Sequence, residues 1–210
     1  MKIDLHIHTK YSADCDTEPK KIAKLELSNG IDCIAVTDHN STSSFNDFKN
    51  SGIKLIKGEE VSTDRGHLIG LFLEDGIKSR EFFAACDEIQ AQGGISILPH
   101  PCRSHKDVES LVEPVDMVEI FNSRTSISGN EKADIIAEKH NKTKVCGSDA
   151  HFVSELGRAV VDVDTDDLEG ARKLFLKGKI IMNCIPSPVY VHPLTWIVKG
   201  RKMINNFIKK

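Results

Sequence analysis

Residues 2–9 alternate along their length, with Ile3, Leu5 and Ile7 on one side and Asp4, His6 and His8 on the other. A period of two predicts a strand that carries both imidazoles on one face. In residues 18–29, Ile22, Ala23, Leu25 and Glu26 recur at helical spacing, Pro19 stands in the first turn and Gly30 follows the last, as helix ends prefer. Residues 31–36 are apolar without alternation, which suits a strand buried on both faces. The same reading predicts strands over 53–56 (ending in Gly58-Glu59-Glu60), 67–73, 95–98, 117–121, 144–146, 159–163 and 180–183. It predicts helices over 79–92, 130–140 and 166–177, and a last one from about Pro193. Strands alternating with helices predict βαβ units and a largely parallel sheet. Either a closed barrel or an open doubly wound sheet fits. There is no internal repeat, low-complexity tract or linker, so one domain is expected over 1–192, with a helical extension over 193–210.

Composition narrows the class. Of 210 residues, 40% are apolar and 28% charged, and the formal net charge is −3. This is the profile of a globular domain with one sizeable core and no global attraction to nucleic acid. The six cysteines include no C-x-x-C pair, which disfavours a zinc finger or thioredoxin-type motif. Cys33 and Cys146 lie in apolar runs and read as small buried hydrophobes. No secretory signal and no membrane-length apolar run is visible, so a cytoplasmic protein with free thiols and no membrane partner is expected.

The histidines carry the chemistry. His6 and His8 share the first strand, while His39, His100 and His151 each follow a predicted strand. His67 stands at a strand's start. Asp14, Asp38, Glu59, Glu60, Glu119 and Asp149 accompany them. In parallel α/β folds the carboxyl ends of the strands form the functional face, so residues distant in sequence converge there. Imidazole and carboxylate suit Zn, Mn and Fe. A His-x-His pair on a strand spans about 7 Å between Cα atoms and can grip one ion. Any one of these motifs is commonplace; five of them punctuating successive strands are not. His105, His140 and His192 lack such placement and read as structural or surface residues.

These motifs, in this order, resemble the PHP (polymerase and histidinol phosphatase) family of metal-dependent phosphoesterases. They are His6-Ile7-His8-Thr9 with Ser12 and Asp14, Thr37-Asp38-His39, Gly58-Glu59-Glu60-Val61-Ser62 and His67-Leu68-Ile69-Gly70. His100-Pro101, Glu119-Ile120-Phe121-Asn122 and Gly147-Ser148-Asp149-Ala150-His151 follow. The resemblance implies an α/β fold, a distorted seven-stranded (β/α) TIM-like barrel in a single domain. It implies two or three divalent ions (Zn, Mn or Fe): one held by His6, His8, Glu60 and Asp149, one by Asp14, His39 and His151, and one by Glu60, His67 and His100. Asp16 and Cys15 compete with Asp14 in the same loop. Asp38 and Glu119 would orient imidazole rings.

The implied reaction is hydrolysis of a phosphate ester, of a small metabolite or a nucleotide, by a metal-bound hydroxide. Asp149, His151 and Glu60 would be catalytic, and Arg103 and Arg158 are candidates for fork-like phosphate contacts, against a plain reading as surface ion pairs. The alternative is an exonuclease on short oligonucleotides, gripping them with Lys199, Arg201, Lys202, Lys209 and Lys210; an ordinary solvated helix face explains those residues better. A non-enzymatic metal module and a carbon–nitrogen hydrolase are the other classes.

Overall fold

The computed structural model describes residues 1–208; Lys209 and Lys210 of the basic C-terminal run lie outside them. The strands are β1 (Lys2–Ile7), β2 (Cys33–Val36), β3 (Lys54–Ser62), β4 (His67–Leu71), β5 (Ile95–Leu98), β6 (Met117–Asn122), β7 (Thr143–Gly147), β8 (Ala159–Asp162) and β9 (Ile181–Cys184). The helices are α1 (Pro19–Ser28), α2 (Phe82–Ala91), α3 (Val108–Val112), α4 (Ile127–Lys139), α5 (Leu168–Leu176) and α6 (Val191–Ile208). A single 3-10 stretch covers Ser43–Phe48.

All nine strands form one sheet, in the order β7-β6-β5-β4-β3-β2-β1-β8-β9. The sheet curls into a nearly closed barrel: past the end of β1, Ile7 bridges to Ala150, and the His8 amide donates to the Ala150 carbonyl at 3.0 Å. All nine strands read from the residue pattern are present, two more than the resemblance implies, with β8 and β9 pairing outward from β1. The sheet is also mixed rather than largely parallel. β1–β2, β2–β3, β5–β6 and β6–β7 are parallel, whereas β3–β4, β4–β5, β1–β8 and β8–β9 are antiparallel. The cause is local. Thr63 to Gly66, closed by a 2.8 Å bond from the Thr63 amide to the Gly66 carbonyl, leave no room for a crossover helix, so β4 folds back as a hairpin.

One apolar cluster fills the barrel, from Ile3 and Leu5 through Ile56, Ile69, Ile97, Met117 and Val145, with Ala171 and Phe175 of α5 added. Two further clusters lie under α2 and α4 and under α1. In β1 the simple alternation fails. Its register against β2 slips between Asp4 and Ile7, as it does when a strand carries a bulge. Ile3 and Leu5 therefore join the barrel cluster while Ile7 joins the one under α1. A second slip, between Glu119 and Phe121, re-aims the end of β6. β3 runs on through Gly58, Glu59 and Glu60 instead of stopping before them. All six cysteines are free. Among the described residues, no helix is long and apolar enough to cross a membrane.

Candidate metal centre

At the carboxyl ends of β1, β2, β3, β5 and β7 the chain gathers a buried polar cluster. Its centre is Glu60, only 1% exposed. Its Oε2 lies 3.0 Å from His39 Nδ1, 3.3 Å from His8 Nε2 and 3.5 Å from His6 Nε2. Its Oε1 lies 2.9 Å from His67 Nδ1 and 3.0 Å from His100 Nε2. His67 reaches the centre because β4 is antiparallel: Ser62 at the end of β3 pairs with His67 at the start of β4. Asp149 Oδ1 is 3.3 Å from His8 Nε2, 3.6 Å from His6 Nε2 and 3.5 Å from His151 Nδ1. Asp14 closes the far side, 3.3 Å from His151 Nε2 and 3.6 Å from His39 Nε2. All nine residues expected as ligands thus meet in one place. Asp16 does not: it turns away to Arg201 and Lys202 of α6.

The donors converge on common points instead of satisfying one another. Among the buried side-chain atoms without a hydrogen-bond partner are Asp14 Oδ1, His39 Nδ1, Glu60 Oε2, His67 Nδ1 and His100 Nδ1. His39 Nδ1 and His67 Nδ1 stand 3.0 and 2.9 Å from Glu60 yet lack hydrogen-bond geometry to it. His6 Nε2 and His8 Nε2 face each other at 3.1 Å. Burying such groups unpaired is costly, and a cation at their shared focus removes the cost. Four groups of side chains have ligand atoms close enough for this: His6/His8/Glu60, His8/His39/His151, His6/His100/Asp149 and His39/Glu60/His67. The donor set suits divalent metal ions.

Outer partners fix the rings. His6 Nδ1 contacts Glu119 Oε1 at 3.0 Å, and the other Glu119 oxygen accepts from the His100 amide at 2.8 Å. His8 Nδ1 contacts Ser12 Oγ at 3.1 Å, and Ser12 donates to Asp38 at 2.6 Å. Glu119 thus meets a ring directly, whereas Asp38 acts through Ser12. With these nitrogens engaged, the opposite nitrogens of His6 and His8 face the centre. Two of the gathered residues hold left-handed backbone, His100 at φ 31° and Asp149 at φ 53°. This is strain of about 1–3 kcal/mol each, of the kind that concentrates at functional sites.

Electrostatics follow from the packing. Burial acts to raise the Glu60 carboxyl, yet His39, His67 and His6 beside it hold it well below the usual range. Burial is outweighed at Asp149 too, by Arg103 and His6. Burial lowers His151 to about 4, with His8 adding to the effect. Against its own burial, His39 is pushed up to about 10 by Glu60 and Asp14.

The two arginines part company. Arg103 donates to Asp149 Oδ2 at 2.5 Å and lines a cavity of about 220 Å³ over the centre. Arg158 does not reach it: its guanidinium donates to the carbonyls of Ser154 and Pro186, at 2.7 and 2.8 Å. Arg124, which the motifs do not single out, lines the cavity instead, paired with Glu155 at 3.1 Å. His192, Thr195 and Trp196 of α6 complete the rim. His105 is structural, its ring bracketing the His67 backbone, 3.2 Å from the amide and 2.9 Å from the carbonyl.

The chain is also similar to known proteins. The model of the PHP-associated family matches residues 128–176. An uncharacterized protein of Methanocaldococcus jannaschii, MJ0417, is 33% identical over 181 residues, covering 80% of this chain and 73% of its own. Two solved structures share the fold. A two-domain protein of Bacteroides vulgatus, described as containing a predicted PHP-like metal-dependent phosphoesterase, superposes with a TM-score of 0.70 at 20% identity over 88% of this chain; the match spans 65% of that protein. The lesion-specific endonuclease EndoQ of Pyrococcus furiosus superposes with a TM-score of 0.65 at 19% identity over 86% of this chain and 57% of its own.

Proposed function

The chain belongs to the PHP family, and from that premise we propose that it is a metal-dependent phosphoesterase hydrolysing the phosphate ester of a small metabolite or nucleotide. The observation that carries this reading is Glu60, whose carboxylate has five imidazole nitrogens within 3.5 Å. A carboxylate can bridge ions where an imidazole cannot. In this reading His6, His8, Glu60 and Asp149 hold one ion, Asp14, His39 and His151 a second, and Glu60, His67 and His100 a third. The ions are Zn, Mn or Fe.

Bound divalent ions supply Lewis acidity toward phosphoryl oxygens and bring the ionisation of water near neutral pH. The protein supplies the rest. Glu119, and Asp38 through Ser12, hold the His6 and His8 rings in register. Arg103, Arg124 and the ligand residues wall a cavity of about 220 Å³, smaller than an ordinary ligand pocket. It has room for the phosphoryl group beside the ligand residues, with the alcohol portion directed toward the rim. Arg103 offers its charge to the phosphoryl oxygens. In the net reaction water oxygen bonds to phosphorus, the ester P–O bond breaks, and the leaving oxygen gains a proton.

The oligonucleotide alternative is the weaker one. It needs a free basic strip, but Arg201 is paired with Asp16, and Lys202 donates to the carbonyls of Lys10, Ser12 and Cys15. The test is phosphate release from metabolites, nucleotides and short oligonucleotides with Mn²⁺ or Zn²⁺ supplied, comparing the natural chain with Asp149→Ala. Metal-dependent release that drops at least about 100-fold in the variant is expected, the scale known for weakened metal sites. Silence toward every ester in protein shown to hold metal overturns the reading.

A further inference from the structure

Helix α6 is fastened over the centre at both ends. Near its start, Arg124 donates to the Val191 carbonyl at 3.5 Å and to Thr195 Oγ1. Near its end, the Lys202 ammonium donates to the carbonyls of Lys10, Ser12 and Cys15, at 2.6, 2.8 and 2.5 Å. These carbonyls flank Asp14, so the helix is tied to a loop of the centre itself. Between the two fastenings, Trp196 is 79% exposed and stands on the rim of the small cavity with His192, Arg103 and Arg124. Leaving an indole in water forgoes about 2–3 kcal/mol of burial. Here it is held at that cost beside cationic groups.

We infer that Trp196 is a stacking platform for the leaving group, and that α6 thereby selects phosphate esters carrying a planar heteroaromatic ring, of which nucleotides are the class. The inference rests on the proposed hydrolysis and sharpens its substrate. With the phosphoryl group at the ligand residues and Arg103 on the cavity floor, the remainder of the substrate extends toward the rim, where Trp196 stands. Stacking a base on an aromatic side chain is worth about 1–3 kcal/mol, which an aliphatic leaving group cannot claim.

Trp196 is the chain's single tryptophan, so its emission reports on this position alone. The probe is adenosine, the leaving-group alcohol of AMP, added to the metal-loaded protein with glycerol as control and excited at the red edge of indole absorption. Saturable quenching by adenosine and none by glycerol is expected. In parallel, Trp196→Ala is expected to lower the ratio of kcat/KM for AMP to that for glycerol phosphate about tenfold, and Trp196→Phe to restore most of it. An unchanged ratio with no quenching overturns the inference. So does Trp196 shielded by a second copy of the chain, read as a doubled particle mass with adenosine inert. Phosphate release without an adenosine response removes this inference and leaves the hydrolase. An adenosine response without phosphate release leaves Trp196 a base-stacking site and overturns both the hydrolase and its leaving-group role.

Discussion

Two buried acidic groups lie close together along β1 and behave oppositely. At the end of the strand, Glu60, Asp149 and Asp14 are held below the usual carboxylate range. One turn of side chains earlier, Asp4 is pushed up to about 7 by burial, and Glu26 of α1 to about 9 by burial and then by Asp4. Glu60 and Asp149 are as dry as the second pair: Asp4 and Glu26 are 0% exposed, Glu60 1% and Asp149 2%, while Asp14 is half-buried. Burial alone therefore neutralises a carboxyl group. What keeps the first group ionised is convergence of imidazoles and Arg103 upon it. Both Glu26 oxygens lack any partner, whereas the unpartnered Glu60 Oε2 has three imidazoles within 3.5 Å. A buried carboxylate that stays charged marks the ligand site; one that takes a proton marks packing.

The sharpest way to break this contrast is Glu60→Gln. The amide keeps the shape and removes the charge that five rings share. Metal content by elemental analysis and phosphate release are both expected to fall, release by at least about 100-fold. Full metal occupancy in the variant would reduce Glu60 to a packing residue like Glu26.

Glu26→Gln tests the other side. The folded-state value, about 9, lies above the ordinary 4.5. Below pH 4.5 both folded and unfolded chains hold the proton and the group's contribution is fully present. As pH rises toward 9 the unfolded chain releases its proton first, so stability is progressively lost. The variant lacks this slope. It should gain about 4 kcal/mol over the natural chain between about pH 5 and about pH 8, read as a growing difference in Tm. A difference constant with pH would show that Glu26 is ionised in the folded protein.

Much of the first group is legible in the sequence, because ligands at strand ends leave motifs: His6-x-His8, Asp38-His39, His100-Pro101 and Asp149-x-His151 each close a strand or the turn after it. The rest depends on pairing that periodicity does not encode. Alternation puts Asp4, His6 and His8 on one face, but the slip in β1 separates them: Asp4 accepts from the Ser148 amide at 3.1 Å while His6 turns to Glu119. His67 looks misplaced at a strand's start until β4 is seen to run antiparallel. Arg103 and Arg158 both follow His motifs, and only the fold shows that the second caps carbonyls. Arg124 and Trp196 gain their places from the docking of α6, which no motif marks. Gly147 stands in the last of the family motifs, and only packing shows why: a Cβ there would strike the Glu119 carboxylate and the His6 Cβ.

Glu119→Gln gives the smallest expected effect and the finest test. Glu119 sits between the two behaviours: 2% exposed, and engaged by His6, the His100 amide and the Asn122 amide, which donates at 2.9 Å. The glutamine oxygen can still accept from His6 Nδ1 and keep the ring oriented, but its NH2 then faces the His100 amide and the Asn122 side-chain amide, which lose their acceptor. Outer partners of this kind are worth about 10–100-fold in metal affinity. Because the bond to His6 survives, the lower end applies: about tenfold weaker metal binding by competitive chelation, together with a lower Tm of the metal-free protein, since each buried donor left unpaired costs about 1–3 kcal/mol. If affinity holds while the metal-free protein loses stability, Glu119 belongs with Glu26 as a packing group, and the boundary between the two acidic groups moves to the ligands themselves.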